Sequence, residues 1–168
     1  MTPAADQACE DRPSGLAAVC QTLDERGIDH EVIRHPRIVS AMAEARESGA
    51  SPRRTVKTVA IRTGGQLVSV ALPASERLNL ERVRHLLGDP EARLATEAEL
   101  AHELPNLEAG ALPPFGAPAP PLALLDRRIL SSNWVLANAG DRRHSVRVSP
   151  LQIVRLSPRA RVVDISEY

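Results

Sequence analysis

Residues 53–72 read RRTVKTVAIRTGGQLVSVAL and contain the clearest structural signal in the chain. Two runs rich in Val, Ile, Leu and Thr flank a Thr-Gly-Gly turn, which is the pattern of a β-hairpin. Side chains alternate between the two faces of a strand, so Lys57 shares a face with Val59 and Ile61. A lysine is rarely placed on an apolar face merely to keep a protein soluble.

Lys57 is the only lysine among 21 basic residues, and the other 20 are arginines. Two interpretations of Lys57 are open. Either it is a chance survivor in a chain that uses arginine for surface charge, or its position requires a compact ammonium group on a flexible stem. A planar guanidinium does not replace such a group. The apolar face on which Lys57 lies favours the second interpretation.

Length and composition indicate one soluble globular domain. The chain has 168 residues, of which 43% are apolar and 25% charged. Only 2% are aromatic, so the core is built from aliphatic side chains, and stacking platforms for single-stranded nucleic acid are largely excluded. A net charge of zero argues against a wide DNA-binding surface but allows a small basic site. No apolar run is long enough to span a membrane.

The amino-terminal segment, residues 1–14, is polar and acidic. This composition predicts a short disordered lead rather than a secretory signal, with the folded domain covering residues 15–168. Cys9 and Cys20 are isolated and form neither a disulfide framework nor a metal site. We expect a reducing, cytoplasmic location and no cofactor or metal.

Periodicity and capping signals place helices and strands along the rest of the chain. Helices are predicted after Ser14, between Ser40 and Gly49, from Asn79 to Gly88 and from a Thr96–Glu99 capping box. Further strands are predicted in PLALLD, WVLANAG, HSVRVS and ARVVDI, with a helix in SPLQIVRLS that carries a second capping box from Ser149 to Gln152. This mixed order predicts an α+β (mixed α/β) fold with a central mixed sheet of about five to seven strands flanked by helices.

A proline-rich loop separates the two halves of the chain. Residues 105–121 hold six of the 14 prolines and two of the nine glycines. Such a loop is either a plain linker or a rigid functional loop that presents its backbone groups in fixed positions.

Common catalytic motifs are missing from the sequence. It has no P-loop and no Gly-x-Ser-x-Gly elbow. Its five histidines show no metal-ligand spacing and are expected to be surface or capping residues. Cys20 lies on the apolar face of a helix, where thiols are usually inert.

Several short motifs nevertheless follow one another in a characteristic order. They are HPRIVSAMAEA, VKT, PASERL, GALPPFG, ANAG and a later SP, spread between residues 35 and 150. This order resembles the YbaK/EbsC family, which includes the editing domain of bacterial prolyl-tRNA synthetases. The resemblance covers about residues 15–166 and implies the fold of that editing domain.

The resemblance also implies an activity and a set of site residues. The activity is trans-editing, in which a free-standing deacylase hydrolyses the ester of a mischarged tRNA. Lys57 and Gly110 are expected to be catalytic, and Arg53 and Arg54 to contact the acceptor end of tRNA, unless these two arginines are only solvated loop charges. The expected substrate-binding residues are Ser40, Glu44, Pro114, Phe115, Gly116, Asn138, Gly140 and Ser145.

The residues fit this chemistry but leave a second function open. An aminoacyl ester is already reactive, so placing water or a ribose hydroxyl and stabilising the oxyanion suffices without a protein nucleophile. Asn138 stands where the cysteinyl-tRNA branch of the family has a serine, and Ser145 where that branch has an acid. The amino acid removed is therefore open. The alternative is a non-catalytic binding module that recognises an aminoacyl or nucleotide end, or a synthetase; DNA and membranes are not expected partners.

Overall fold

The computed structural model describes residues 15–108, 110–115, 119–157 and 159–167. The predicted amino-terminal lead and Gly116 lie outside these residues. Within them, the α-helices are α1 (Gly15–Glu25), α2 (Ala41–Ser48), α3 (Leu80–Leu87), α4 (Glu97–Glu103) and α5 (Pro150–Leu156), with a 3₁₀-helix at Arg127–Ser131.

Most helix boundaries follow from the capping residues that the sequence shows. Ser40 and Asn79 accept hydrogen bonds from the first turns of α2 and α3, and Gly49 and Gly88 end these helices in the left-handed conformation. The Thr96–Glu99 capping box of α4 is also present. The second predicted capping box is wrong: Ser149 precedes α5 without a side-chain hydrogen bond, and Pro150 at the first turn defines this start instead.

The described strands form two sheets rather than one central sheet. They are β1 (Glu31–Arg34), β2 (Val56–Thr63), β3 (Gln66–Pro73), β4 (Arg93–Leu94), β5 (Leu122–Asp126), β6 (Val135–Asn138), β7 (His144–Val148) and β8 (Arg159–Val163). One sheet has the order β1-β7-β6 and is antiparallel; the other is mixed, with the order β4-β2-β3-β5-β8. The predicted α+β class is confirmed.

The hairpin of β2 and β3 forms the centre of the five-stranded sheet, as its sequence predicts. Thr63 pairs with Gln66 around the two glycines of the turn. Side chains on one face of the sheet join the main core, which also contains the inner faces of α1, α5 and the three-stranded sheet. Side chains on the other face, including Ile61 and Val70, pack against α3 in a second core. The two sheets meet where Thr55 forms an isolated parallel bridge with Leu136.

Candidate functional site

A pair of polar residues lies at the turn end of the hairpin that β6 and β7 form in the three-stranded sheet. Asn138 on β6 and Ser145 on β7 are Cα partners, and both side chains are buried. Their neighbours Ala137 and Val146 belong to the main core. Because side chains alternate along a strand, Asn138 and Ser145 lie on the opposite face of this sheet.

Helix α2 brings a carboxyl group to this polar pair. Glu44 is fully buried, and the hydroxyl of Ser145 bonds to its Oε2. Burial raises the pKa of Glu44 to about 7, while the bond from Ser145 acts in the opposite direction. Ser40, predicted to bind substrate, caps this helix: its Oγ accepts a hydrogen bond of 3.0 Å from the backbone N–H of Ala43. Ser40 therefore fixes the start of the helix that carries Glu44.

His35 completes a chain of three buried side chains. Its Nε2 lies 2.9 Å from Ser145 Oγ, and its Nδ1 lies 2.8 Å from the carbonyl oxygen of Pro36. Its backbone N–H donates to the carbonyl of Arg143, which holds the residue beside β7 just beyond the end of β1. The expectation that all histidines are surface or capping residues is wrong, since His35 and His144 are both buried.

Two oxygen atoms of this cluster are buried without a hydrogen-bond partner among the described residues. They are Oε1 of Glu44 and Oδ1 of Asn138. An unsatisfied buried acceptor typically costs about 1–3 kcal/mol, so most buried polar groups in proteins are paired. Two such acceptors on either side of Ser145 indicate a place for a ligand that donates hydrogen bonds.

The proline-rich loop packs against the same end of the three-stranded sheet. The backbone N–H of Glu108 donates to the carbonyl of Gly140, at 3.1 Å. Gly110 has φ of +82°, and a Cβ atom there would lie 2.7 Å from Nη2 of Arg142. Gly140 has φ of +96°, and a Cβ atom there would lie 2.5 Å from the carbonyl carbon of Gly15. Gly140 therefore requires glycine for conformation and for close packing against backbone, whereas at Gly110 the positive φ is what favours glycine, because the Arg142 side chain can move.

Phe115 and Pro114, also predicted to bind substrate, have visible packing roles. Phe115 is only 1% exposed and belongs to the main core. Pro114 is buried, and its carbonyl accepts a bond from Ser157 at 3.4 Å. These contacts anchor the loop to the core at Phe115, while at its other end Gly110 lies near the Arg142 guanidinium.

Lys57 is half-buried on β2, on the same face as the fully buried Ile61, as the alternation predicts. Its Nζ donates to the backbone carbonyl of Glu76, and burial lowers the pKa of its ammonium group. The parallel bridge between Thr55 and Leu136 sets the register of β2 relative to β6. Lys57 lies two residues beyond the bridge on β2, and Asn138 two residues beyond it on β6.

The two arginines before β2 have different surroundings. The guanidinium of Arg54 lies 4.6 Å from the centre of the Trp134 ring and donates a hydrogen bond to Asn133. The guanidinium of Arg147 lies 4.1 Å from the centre of the same ring. Arg53 is exposed and lines a cleft of about 290 Å³ that also includes Glu76, the residue whose carbonyl holds Lys57. A basic surface therefore borders the entrance to β2.

The sequence singled out most of this cluster but missed one member. Glu44, Asn138, Gly140, Ser145 and Gly110 come together at one end of the three-stranded sheet. His35 was overlooked, although it opens the HPRIVSAMAEA motif. A histidine placed directly after a strand and before a proline was the signal that could have found it.

The chain belongs to the aminoacyl-tRNA editing domain family, whose model matches residues 35–156. This match includes the hairpin, the buried cluster and the proline-rich loop. The resemblance drawn from the sequence motifs is thereby confirmed.

Solved structures agree with this family and with the fold. One, described as a candidate trans-editing enzyme for prolyl-tRNA synthetase, is 28% identical with a TM-score of 0.78, covering 92% of this chain and 98% of that chain. A scaffold protein used for computational epitope grafting is 27% identical with a TM-score of 0.80, over 92% and 97% of the two chains. A protein described only as hypothetical is 26% identical with a TM-score of 0.79, over 89% and 99%. Among curated proteins, none matches the chain significantly.

Two kinds of feature are absent from the residues that the structure describes. No helix among them is long and apolar enough to cross a membrane. No group of three or more His, Cys, Asp or Glu side chains in the same part of the chain is arranged to hold a metal ion.

Proposed function

We propose that this chain is a free-standing trans-editing deacylase that hydrolyses the ester bond of mischarged aminoacyl-tRNA in the cytoplasm. The observation that carries the proposal is the buried cluster of Glu44, Ser145 and Asn138, in which two acceptors have no partner among the described residues, within the segment that matches the editing-domain family. An unpaired buried acceptor costs stability, and a polar substrate that donates hydrogen bonds to it removes that cost.

The proposed chemistry needs positioning and charge stabilisation rather than a protein nucleophile. The ammonium group of Lys57 contacts the terminal phosphate or the carbonyl end of the substrate. Its hydrogen bond to the Glu76 carbonyl is then either broken or kept beside the new contact. Backbone N–H groups of the loop that begins at Gly110 stabilise the oxyanion, and Gly116 belongs to the same loop. The side of the cluster near Asn138, Gly140 and Ser145 holds the aminoacyl group, while Arg53 and Arg54 contact the tRNA acceptor end.

A second candidate is a non-catalytic module that binds an aminoacyl or nucleotide end, or docks on a synthetase. The contact that favours it is the bond from Lys57 to a backbone carbonyl, which gives this ammonium group a partner inside the protein itself. The two candidates share the binding site and differ in turnover.

A panel of mischarged tRNAs separates the two functions. The purified chain is incubated with each charged tRNA, and the aminoacyl ester that remains is measured over time against a no-protein control. Fast hydrolysis of one or a few mischarged species supports the deacylase. Binding of the same species without any acceleration of hydrolysis would instead support the binding module.

A further inference from the structure

With Oε1 of Glu44 unprotonated, the hydrogen bonds of His35, Ser145 and Glu44 can be filled with protons in two ways. The carbonyl oxygen of Pro36 only accepts, so Nδ1 of His35 carries a hydrogen in both. The hydroxyl of Ser145 has one hydrogen and stands between Nε2 of His35 and Oε2 of Glu44. It therefore donates to one of these atoms and accepts from the other.

In the first arrangement the whole chain is neutral. The protonated carboxyl of Glu44 donates to Ser145, and Ser145 donates to Nε2 of a neutral His35. In the second arrangement Ser145 donates to a Glu44 carboxylate and accepts from Nε2–H of a His35 imidazolium. Both hold the same number of protons. The first arrangement becomes the second when Glu44 passes its proton to Ser145 and Ser145 passes its own proton to His35. No proton is exchanged with solvent.

Burial favours the neutral arrangement while the site is empty. Glu44 is 0% exposed and His35 is 6% exposed, and separating charge between buried groups is costly. The raised pKa of Glu44 has the same origin. The ionisable groups at the adjoining β6–β7 turn include Asp141 and His144, which bond to each other at 2.8 Å, and Arg142, whose guanidinium lies against Gly110.

A ligand with a positive charge reverses this preference. The unpartnered Oε1 of Glu44 and Oδ1 of Asn138 are acceptors beside the relay. A free α-ammonium group brings three N–H donors and one positive charge, which stabilises a carboxylate at Glu44. An acylated amine brings one N–H and no charge, and a hydroxyl in its place brings one O–H and no charge.

We propose that Glu44, Ser145 and His35 form a proton relay that converts Glu44 to a carboxylate when an ammonium group binds beside Glu44 Oε1 and Asn138 Oδ1, so that the site selects substrates with a free α-amino group. The inference rests on the proposed function, because it names the part of the aminoacyl group that the site reads. Glu44 is the residue that contacts the amine, and Ser145 and His35 are positioning residues that act through it.

Substrate pairs that differ only at the α-nitrogen test this selectivity. The same tRNA carries the same amino acid with a free amine, with an N-acetylated amine, or with the amine replaced by hydroxyl. We expect the wild-type protein to hydrolyse the free-amine ester at least about tenfold faster than the other two in kcat/KM. Equal rates for all three would overturn the proposal.

Three variants separate a relay from a simple carboxylate site. Glu44→Gln keeps the shape of the side chain but cannot ionise, and it should lose the preference for the free amine. Ser145→Ala leaves Glu44 in place but removes the path to His35, and it should lose the preference as well. Ser145→Thr keeps the hydroxyl and should retain the preference. A Ser145→Ala protein that folds normally and keeps the wild-type preference would overturn the relay.

A direct measurement of the proton works without catalysis. The ¹⁵N shifts of His35 are recorded on adding alanyl, seryl and cysteinyl amides of 3′-amino-3′-deoxyadenosine, which cannot hydrolyse as esters do, and their N-acetylated counterparts. Protonation of Nε2 with at least one free amine, and with none of the acetylated forms, supports the relay. Binding without protonation, or no binding by any of the three, overturns it. A positive result here together with an inactive tRNA panel would mean that deacylation fails while the relay stands.

Discussion

Ser145 links Glu44, 101 positions earlier in the chain, to the central strand of the three-stranded sheet through a single hydroxyl contact. The carboxyl lies on helix α2 and the hydroxyl on strand β7, so neither element positions the pair alone. The serine also stands directly opposite Asn138. One small side chain thus connects a helix, two strands and the His35 imidazole in a region from which bulk water is largely excluded.

Replacing Glu44 with glutamine should change how stability depends on pH. The pKa of Glu44 is raised from 4.5 to about 7 in the folded protein. Its protonated form is therefore favoured by folding, and this contribution is fully present below about pH 4.5 and lost as pH rises through about 7. Relative to Glu44→Gln, the wild-type free energy of unfolding should fall by about 3 kcal/mol between pH 4 and pH 8.

Urea unfolding of both proteins across this pH range measures the difference. The comparison with glutamine removes the contributions of the titrating groups that are not coupled to Glu44, since these are common to the two proteins. Parallel curves for wild type and variant would contradict the raised pKa.

Gly140→Ala should destabilise the protein more than Gly64→Ala. Both glycines have positive φ, +96° and +57°, so each substitution strains the backbone by about 1–2 kcal/mol. A Cβ at position 64 meets nothing within 4 Å, whereas one at position 140 would lie 2.5 Å from backbone atoms of Gly15. Thermal melting of the two variants should show the larger loss for Gly140→Ala. Equal losses would mean that the chain near Gly15 moves aside at little cost.

Local signals in the sequence predicted the elements that carry the site but not all of their contacts. The Ser40 cap, the Gly49 stop and the hairpin around Gly64 are each decided within a few residues, so a linear pattern contains them. The contact of Glu44 with Ser145 spans 101 positions. Glu44 and Ser145 were still singled out because the family resemblance placed both at the site, whereas no local pattern marked their contact.

Long-range strand pairing explains most of what the sequence could not show. His35 lies after a short strand whose alternation is weak, and only the pairing of β1 with β7 places it beside Ser145. The division of the strands into two sheets has the same cause, since it depends on which strands pair at long range. Ser149 and Gln152 are the residues of a capping box without its side-chain hydrogen bond, because the backbone N–H of Gln152 donates to the Ser149 carbonyl at 3.0 Å.

Binding of tRNA should be weak and sensitive to salt, with little dependence on the tRNA body. A net charge of zero leaves only a local basic surface for phosphates. Arg53→Ala should weaken binding and reduce the slope of log K against log salt by about 0.7 if it removes one contact to single-stranded acceptor phosphate. Arg161→Ala, at an exposed arginine on β8, is the matched control and should leave the slope unchanged. Filter binding at several salt concentrations gives both values, and tight binding that persists at high salt would contradict the prediction.

The last prediction concerns the single lysine. Lys57→Arg keeps a positive charge, but its guanidinium is planar, bulkier and differently hydrogen-bonded than the ammonium group that reaches the Glu76 carbonyl. Lys57→Ala removes the charge. Both variants should fold, because the residue is only half-buried at the entrance to β2. Both should lose most of their deacylation activity, by about 10²–10³-fold if a transition-state contact is lost, with alanine losing at least as much as arginine.

Single-turnover deacylation of the best mischarged tRNA measures this loss, and thermal melting of each variant controls for folding. Arg62→Lys is a useful comparison, since Arg62 lies on the same strand but pairs with Glu99 and Glu103 far from the polar cluster, and its replacement should leave the rate unchanged. A chain that uses arginine at 20 of its 21 basic positions would accept Lys57→Arg without cost if the position required only charge. Full activity of Lys57→Arg would therefore show that position 57 requires only a positive charge and that its lysine is there by chance. An inactive and well-folded Lys57→Arg protein would show that the position requires the ammonium group itself.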